Sequence, residues 1–125
     1  MPIWQFGAGW FPLESNFRWT APSAYLRLRR PRGADVFSLR VNMGPGQLQK
    51  YGGAEVEVFF DGRSAGVRQY HQENWHTRTW PVPTGLGETV QIEIRSLRPF
   101  QPDNDPRTLG VAVGAIGFFD QEPAH

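Results

Sequence analysis

The run from Arg107 to Phe119, R-T-L-G-V-A-V-G-A-I-G-F-F, constrains the fold of this chain more than any other. Leu109, Val111 and Val113 alternate with Gly110, Ala112 and Gly114, and Ile116 and Phe118 are read as keeping the same parity. A period of two with small residues on the second face describes a strand. One side lies in a core and the other lies against a close neighbour. The strand is fed by a polar, proline-bracketed loop from Gln101 to Pro106, which carries Asp103 and Asp105.

The same period recurs along the chain. Ala24 to Arg30 sets Ala24, Leu26 and Leu28 against Tyr25, Arg27 and Arg29. Val36 to Met43 offers Phe37, Leu39, Val41 and Met43 to a core, and Ala54 to Phe60 offers Val56, Val58 and Phe60. Asp61-Gly62 is a two-residue hairpin signal, with Ala65 to His71 as the return strand. Trp75 to Val82 and Glu88 to Leu97 follow, the latter with Val90, Ile92 and Ile94 inward. Ile3 to Phe6 reads as a short edge strand and Phe17 to Thr20 as a second short apolar piece. Pro31-Arg32-Gly33 reads as a turn, and the segment from Gly44 to Gly53 as a long flexible loop with Tyr51 exposed. No segment has a helical period beyond a turn or two, and there is no internal repeat. With 14 Gly and 11 Pro marking the turns, the pattern predicts an all-β antiparallel β-sandwich. It is a jelly roll of about eight strands. The length of 125 residues makes it a single domain spanning residues 1–125.

Composition excludes several classes. There is no Cys, so a disulfide framework and a thiolate metal site are ruled out. A formal net charge of +1 argues against nucleic acid. The cluster Arg27, Arg29, Arg30 and Arg32 reads instead as a solvated strand face. No apolar run approaches ~20 residues, so direct membrane insertion is not expected. The start, Met1-Pro2-Ile3-Trp4, lacks a basic region followed by an apolar one.

Catalytic motifs are weak. Gly62-Arg63-Ser64-Ala65-Gly66 matches the nucleophile-elbow pattern but sits on a predicted antiparallel hairpin, not a strand-to-helix turn. His71 and His76 lack metalloprotease spacing. Asp103-Asn104-Asp105 is a better candidate, because alternating loop carboxylates suit calcium. The plain alternative is a turn in which Asp105 pairs with Arg107. No cofactor is expected otherwise, and the chain is expected not to be an enzyme.

Aromatic residues beside planar polar ones carry the functional expectation. Trp10, Trp19, Trp75 and Trp80 all lie near Arg, Glu, Asn or Asp in sequence. A sugar stacks its C–H face on an aromatic ring and presents hydroxyls to guanidinium, carboxylate and amide groups. The structural alternative is that each indole simply fills core or caps it. The expected saccharide-binding residues are Trp10, Glu14, Arg18, Trp19, Trp75, Asp103, Asp105 and Arg107. Glu14 is expected to pair with Arg107 or Arg18 near Trp19, at one end of the sandwich.

Three pieces together carry a family resemblance. They are Gly9-Trp10-Phe11-Pro12-Leu13-Glu14 leading to Arg18-Trp19-Thr20, then the Asp61-Gly62-Arg63 hairpin, then Asp105-Pro106-Arg107-Thr108-Leu109-Gly110-Val111-Ala112-Val113. The chain resembles the small bacterial galactose-binding-like jelly-roll domains, which occur alone or fused to membrane glycosyltransferases. The resemblance implies a non-catalytic carbohydrate-binding module. Alternatively it implies an accessory or spacer domain of a membrane glycosyltransferase or polysaccharide-assembly protein, with no sugar binding of its own.

Overall fold

The computed structural model describes residues 4–29, 35–102 and 105–119. Its strands are β1 (Trp4–Phe6), β2 (Arg18–Trp19), β3 (Ser23–Arg29), β4 (Val36–Met43), β5 (Ala54–Phe60), β6 (Arg63–Tyr70), β7 (Asn74–Pro81), β8 (Thr89–Ser96) and β9 (Ala112–Phe119). One sheet has the order β1-β3-β8-β5-β6 and the other β2-β9-β4-β7, with every pair antiparallel. The pairs β2–β9, β3–β8, β4–β7 and β5–β6 are nested. A long double ribbon, hinged at Asp61-Gly62, has rolled so that successive rungs alternate between layers. That is a jelly roll, with β1 added as an extra edge strand.

The alternation predicted for β3, β4, β5 and β8 holds: Leu26, Leu28, Phe37, Leu39, Val41, Val56, Val58, Phe60, Val90, Ile92 and Ile94 are all buried. Phe37 anchors one end of the core, 5.6 Å from both the Phe60 and Phe118 ring centroids. Among the described residues no helix is long and apolar enough to cross a membrane. The turn expected at residues 31–33 lies outside the described residues.

Two expectations are corrected. The segment read as a flexible loop contains α1 (Pro45–Tyr51). Pro45 opens it with φ preset for a helix, and Gly52 closes it at φ 77°, donating its N–H to the Leu48 carbonyl at 2.9 Å. Leu48 packs on the core, and Tyr51 is half-buried against Phe100, 5.4 Å between centroids. Seven residues between glycines are too few for a helical period to register.

The final strand is the second. Regular pairing begins at Ala112, and Val113 pairs with Val41 while Ala115 pairs with Arg40. Two residues on β9 thus face one step on β4, which is a β-bulge at Gly114. The bulge shifts the inward set from odd to even positions, so Ile116 and Phe118 reach the core only because of it. Gly114 leaves room there for the Trp75 ring, which an added Cβ would meet.

The β6/β7 flank is sealed by side chains. Arg68 Nε donates to the Thr79 carbonyl (2.8 Å), Arg78 Nε to the Gln69 carbonyl (3.0 Å) and Trp80 Nε1 to the Gly66 carbonyl (3.0 Å). These bonds occupy backbone acceptors on edge strands of opposite sheets, which would otherwise invite pairing with another chain. Trp80 is fully buried, so it belongs to the core and not to a surface site. Tyr70 donates to the Leu39 carbonyl at 2.6 Å; burial pushes its phenol pKa far up, and the Arg78 guanidinium beside it only partly opposes this.

Candidate functional site

The opposite flank is open. There β1 and β2 are the edges of the two sheets, and β2 is only two residues long. It covers Val113 and Ala112 of β9. Among the described residues, β9 from Gly114 onward pairs with β4 alone. One row of its N–H and C=O groups is therefore left without a strand partner.

The segment between β1 and β2 builds a wall beside this edge. Gly7 N–H donates to the Tyr25 carbonyl, Ala21 N–H to Gly9 and Phe11 N–H to Trp19, at 2.7, 2.7 and 3.0 Å. Gly9 must be glycine, because its φ is 92° and a Cβ would meet the Ser23 carbonyl. Glu14 and Phe17 exchange backbone hydrogen bonds of 2.8 and 2.9 Å across a tight turn. Between wall and edge lies a groove of about 390 Å³, within the ~300–1,000 Å³ usual for small-ligand sites. Phe6, Trp10, Leu13, Asn16, Phe17 and Arg18 face Val113 to Ile116 across it.

Trp10 is fixed by its Nε1–H on the Tyr25 carbonyl (2.8 Å) and meets Phe6 edge-on at 4.9 Å. Arg18 lies with its guanidinium carbon 5.0 Å from the Phe6 centroid and donates to the Phe11 carbonyl at 3.2 Å. It is the only charged group in the lining among the described residues. Leu13 and Phe6 are 60% and 45% exposed, two of the four large hydrophobics left exposed among the described residues. Apolar side chains left exposed beside a concavity make this flank the candidate binding surface.

Next to the groove sits an ion cluster. Arg107 donates through Nε and Nη2 to both oxygens of Asp105 (3.0 and 2.8 Å) and lies 3.6 Å from a Glu14 oxygen. Its guanidinium carbon is 5.0 Å from the Phe11 centroid. The Arg107 hydrogen bonds hold the Asp105 carboxyl below its ordinary range, and the carboxylate raises Arg107 in return. The cluster ties the 101–109 loop to the segment that carries Leu13, Asn16 and Phe17, so it positions the wall. Trp19 lies in an aromatic row, 6.0 Å from Phe17 and 5.6 Å from Phe100.

The expected residues thus fall into groups. Trp10 and Arg18 line the groove, and Glu14, Asp105 and Arg107 brace it, with the Glu14–Arg107 contact as anticipated. Trp19 packs behind Phe17. Trp75 sits on β7 beneath Arg40 (5.0 Å) and meets the groove only through Gly114. Asp103 lies outside the described residues. Sequence reasoning missed Phe6, Leu13, Asn16, Phe17 and the β9 edge. The apolar Leu13 and Phe17 bracketing the polar Glu14-Ser15-Asn16 turn were the available signal.

Other chemistry is accounted for structurally. Ser64 donates to Glu57 Oε2 at 2.5 Å, and the two glycines of its G-x-S-x-G serve the hairpin (Gly62, φ 84°) and a bulge (Gly66, φ 108°). Among the described residues no three His, Asp or Glu side chains gather as a metal site.

Fold and groove define the class: a jelly-roll sandwich with a ligand-sized cleft on one flank and aromatic, amide and guanidinium groups in its walls. No family model and no curated protein matches the chain. Among solved structures it is similar to one titled as the CBM51-2 and INT domains of ZmpB from Clostridium perfringens, at 12% sequence identity and a TM-score of 0.42. That similarity covers 80% of this chain and 22% of the other, so the chain spans about a fifth of that structure's length.

Proposed function

We propose that this protein is a non-catalytic carbohydrate-binding module whose saccharide enters the flank groove. The observation that carries the reading is the combination in one cleft of exposed aromatic surface, Arg18, Asn16 and the unpaired edge of β9. Aromatic rings receive the C–H face of a sugar, and fixed amide and guanidinium donors match its hydroxyl oxygens. Glu14, Asp105 and Arg107 act by holding the wall in place. The resemblance noted from the sequence makes a membrane glycosyltransferase the natural parent or partner of such a module.

A glycan array followed by calorimetry tests this. Ala115→Trp fills the groove from its exposed β9 side, and Asn16→Ala removes an exposed amide. Both should abolish or weaken glycan capture while leaving the melting temperature near that of the parent protein. Capture unchanged by both would sink the assignment of the groove. A second reading, an accessory interaction domain, is favoured by one feature: the uncharged β9 edge is suited to accept a strand from another protein. Pull-down of a peptide partner by a module that ignores every glycan would select it.

A further inference from the structure

We propose that the ligand is an acidic oligosaccharide that lies across the Phe6 ring and occupies two adjoining subsites. This presupposes that the groove takes a saccharide, and it adds the ligand's charge and length.

Phe6 lines two cavities. On one side is the flank groove. On the other is a depression of about 430 Å³ on the outer face of the five-stranded sheet, lined by Phe6, Gly7, Tyr25, Leu26, Arg27 and Gln91. The strand register explains this second site. Leu26 points into the core, so Tyr25 and Arg27 on the same strand point out. Arg27 pairs with Gln91 across β3–β8, which sets a guanidinium beside an amide in one row. Phe6 ends β1 opposite Leu26, so its ring lies on the groove side of the strand while the residue itself borders both hollows. That ring, 45% exposed, gives a sugar chain a stacking platform in the groove before it turns over the β1 edge to the second hollow.

The charges of the two linings agree. Among the described residues Arg18 is the only charged one in the first lining and Arg27 the only one in the second. Elsewhere Arg29, Arg95, Arg98 and Arg107 are paired with carboxylates, Arg40 stacks on Trp75, and Arg63, Arg68 and Arg78 donate to backbone carbonyls. Arg18 donates only to a carbonyl, and Arg27 has neither an ion pair nor a hydrogen bond among the described residues. A guanidinium left without a counter-ion beside a ligand-sized hollow is suited to a carboxylate held by two parallel N–H donors. Two of them flanking one ring suit a chain with acidic groups along it, such as a polyuronate. Linking the two subsites through one chain raises affinity without any new contact.

Calorimetry at low salt with the intact protein decides it. The probes are hexuronic-acid monomers, dimers and tetramers, together with neutral hexose oligomers of the same lengths. The acidic tetramer should bind at least tenfold tighter than the monomer and at least tenfold tighter than the neutral tetramer. Arg27→Gln and Gln91→Ala, both on exposed side chains, should weaken the tetramer about five- to tenfold and leave the monomer unchanged. Neutral oligomers binding as tightly as acidic ones would overturn the charge assignment. Tetramer affinity indifferent to Arg27→Gln and Gln91→Ala, with groove variants still weakening it, would overturn the second subsite alone. Failure of every saccharide on the array would remove the carbohydrate reading and this inference with it.

Discussion

Thr20 sets where β2 meets β9, and its replacement by valine is a sharp test of how the groove wall is anchored. The residue is fully buried. Its Oγ1 accepts the Val111 N–H at 3.0 Å, while its backbone N–H donates to the Val111 carbonyl at 2.9 Å and its carbonyl accepts from Gly110 at 2.7 Å. Val111 is itself fully buried. Thr20→Val keeps the shape and removes the acceptor, which leaves a buried amide unsatisfied at a cost of about 1–3 kcal/mol. The new methyl also stands close to Gly110, where an added Cβ would meet the present Oγ1. The expected loss is therefore about 2 kcal/mol, which lowers the melting temperature of a domain this size by roughly 6–8 °C. Thr20→Ser keeps the hydrogen bond and loses one buried methyl, a loss of about 1 kcal/mol. Urea unfolding followed by tryptophan fluorescence measures both. Equal destabilisation by valine and serine, or a valine variant within about 0.3 kcal/mol of the parent, would refute the claim that a hydrogen bond anchors this junction.

Three further expectations follow from the same contacts. Because Arg107 lowers the Asp105 pKa, the pair contributes stability that is fully present above the ordinary carboxyl value of 3.8 and is lost as pH falls through the lowered one. An NMR titration should place Asp105 below 3.8, and Arg107→Gln should return it there; an unmoved midpoint refutes the pairing. Gly114→Ala should push the Trp75 ring off β9 and out from under Arg40, red-shifting its fluorescence at a cost of about 1–3 kcal/mol. A spectrum like the parent's would show that the bulge has room to spare. Calcium should leave the melting temperature unchanged, since both Asp105 oxygens already accept from Arg107; a rise of several degrees that EDTA reverses would show that the loop binds the ion.

The layers were legible because burial on one face writes itself into the sequence with a period of two, as in Val90, Ile92 and Ile94. The Asp61-Gly62 turn was legible because both residues adopt positive φ (48° and 84°), which few other pairs tolerate. The helix was not, since its seven residues carry a single partly buried leucine and its order comes from Pro45, Gly52 and contact with the core. The parity of Ile116 and Phe118 was not, because a bulge inserts a residue without any change in composition. In the site, Glu14 and Arg107 could be joined from the sequence because the first and last strands of a jelly roll are neighbours. Phe6 and Asn16 could not, since their importance lies in what they face across the groove.

Why the cleft sits on this flank and not the other follows from strand lengths. A rolled double ribbon leaves edges on both flanks, and each must be managed. On the β6/β7 side the two strands are equally long, so Arg68, Arg78 and Trp80 can reach from one edge to carbonyls of the other. On the β1/β2 side the partner of β9 ends after two residues, while β9 itself runs to Phe119. Part of its backbone edge is then unsatisfied by strand pairing, and the stretch Ala112 to Phe119 contains no charge to discourage association. The segment from Gly7 to Phe17 passes near enough to flank that edge but does not pair with it, and a groove results. An uncharged strand edge left open in this way is a template for association, so it is the part of the surface most suited to an occupant. A hydroxyl-rich chain can satisfy the orphan N–H and C=O groups and still stack on Phe6 and Trp10. That dual demand is why the proposed occupant is a saccharide and not a purely apolar ligand.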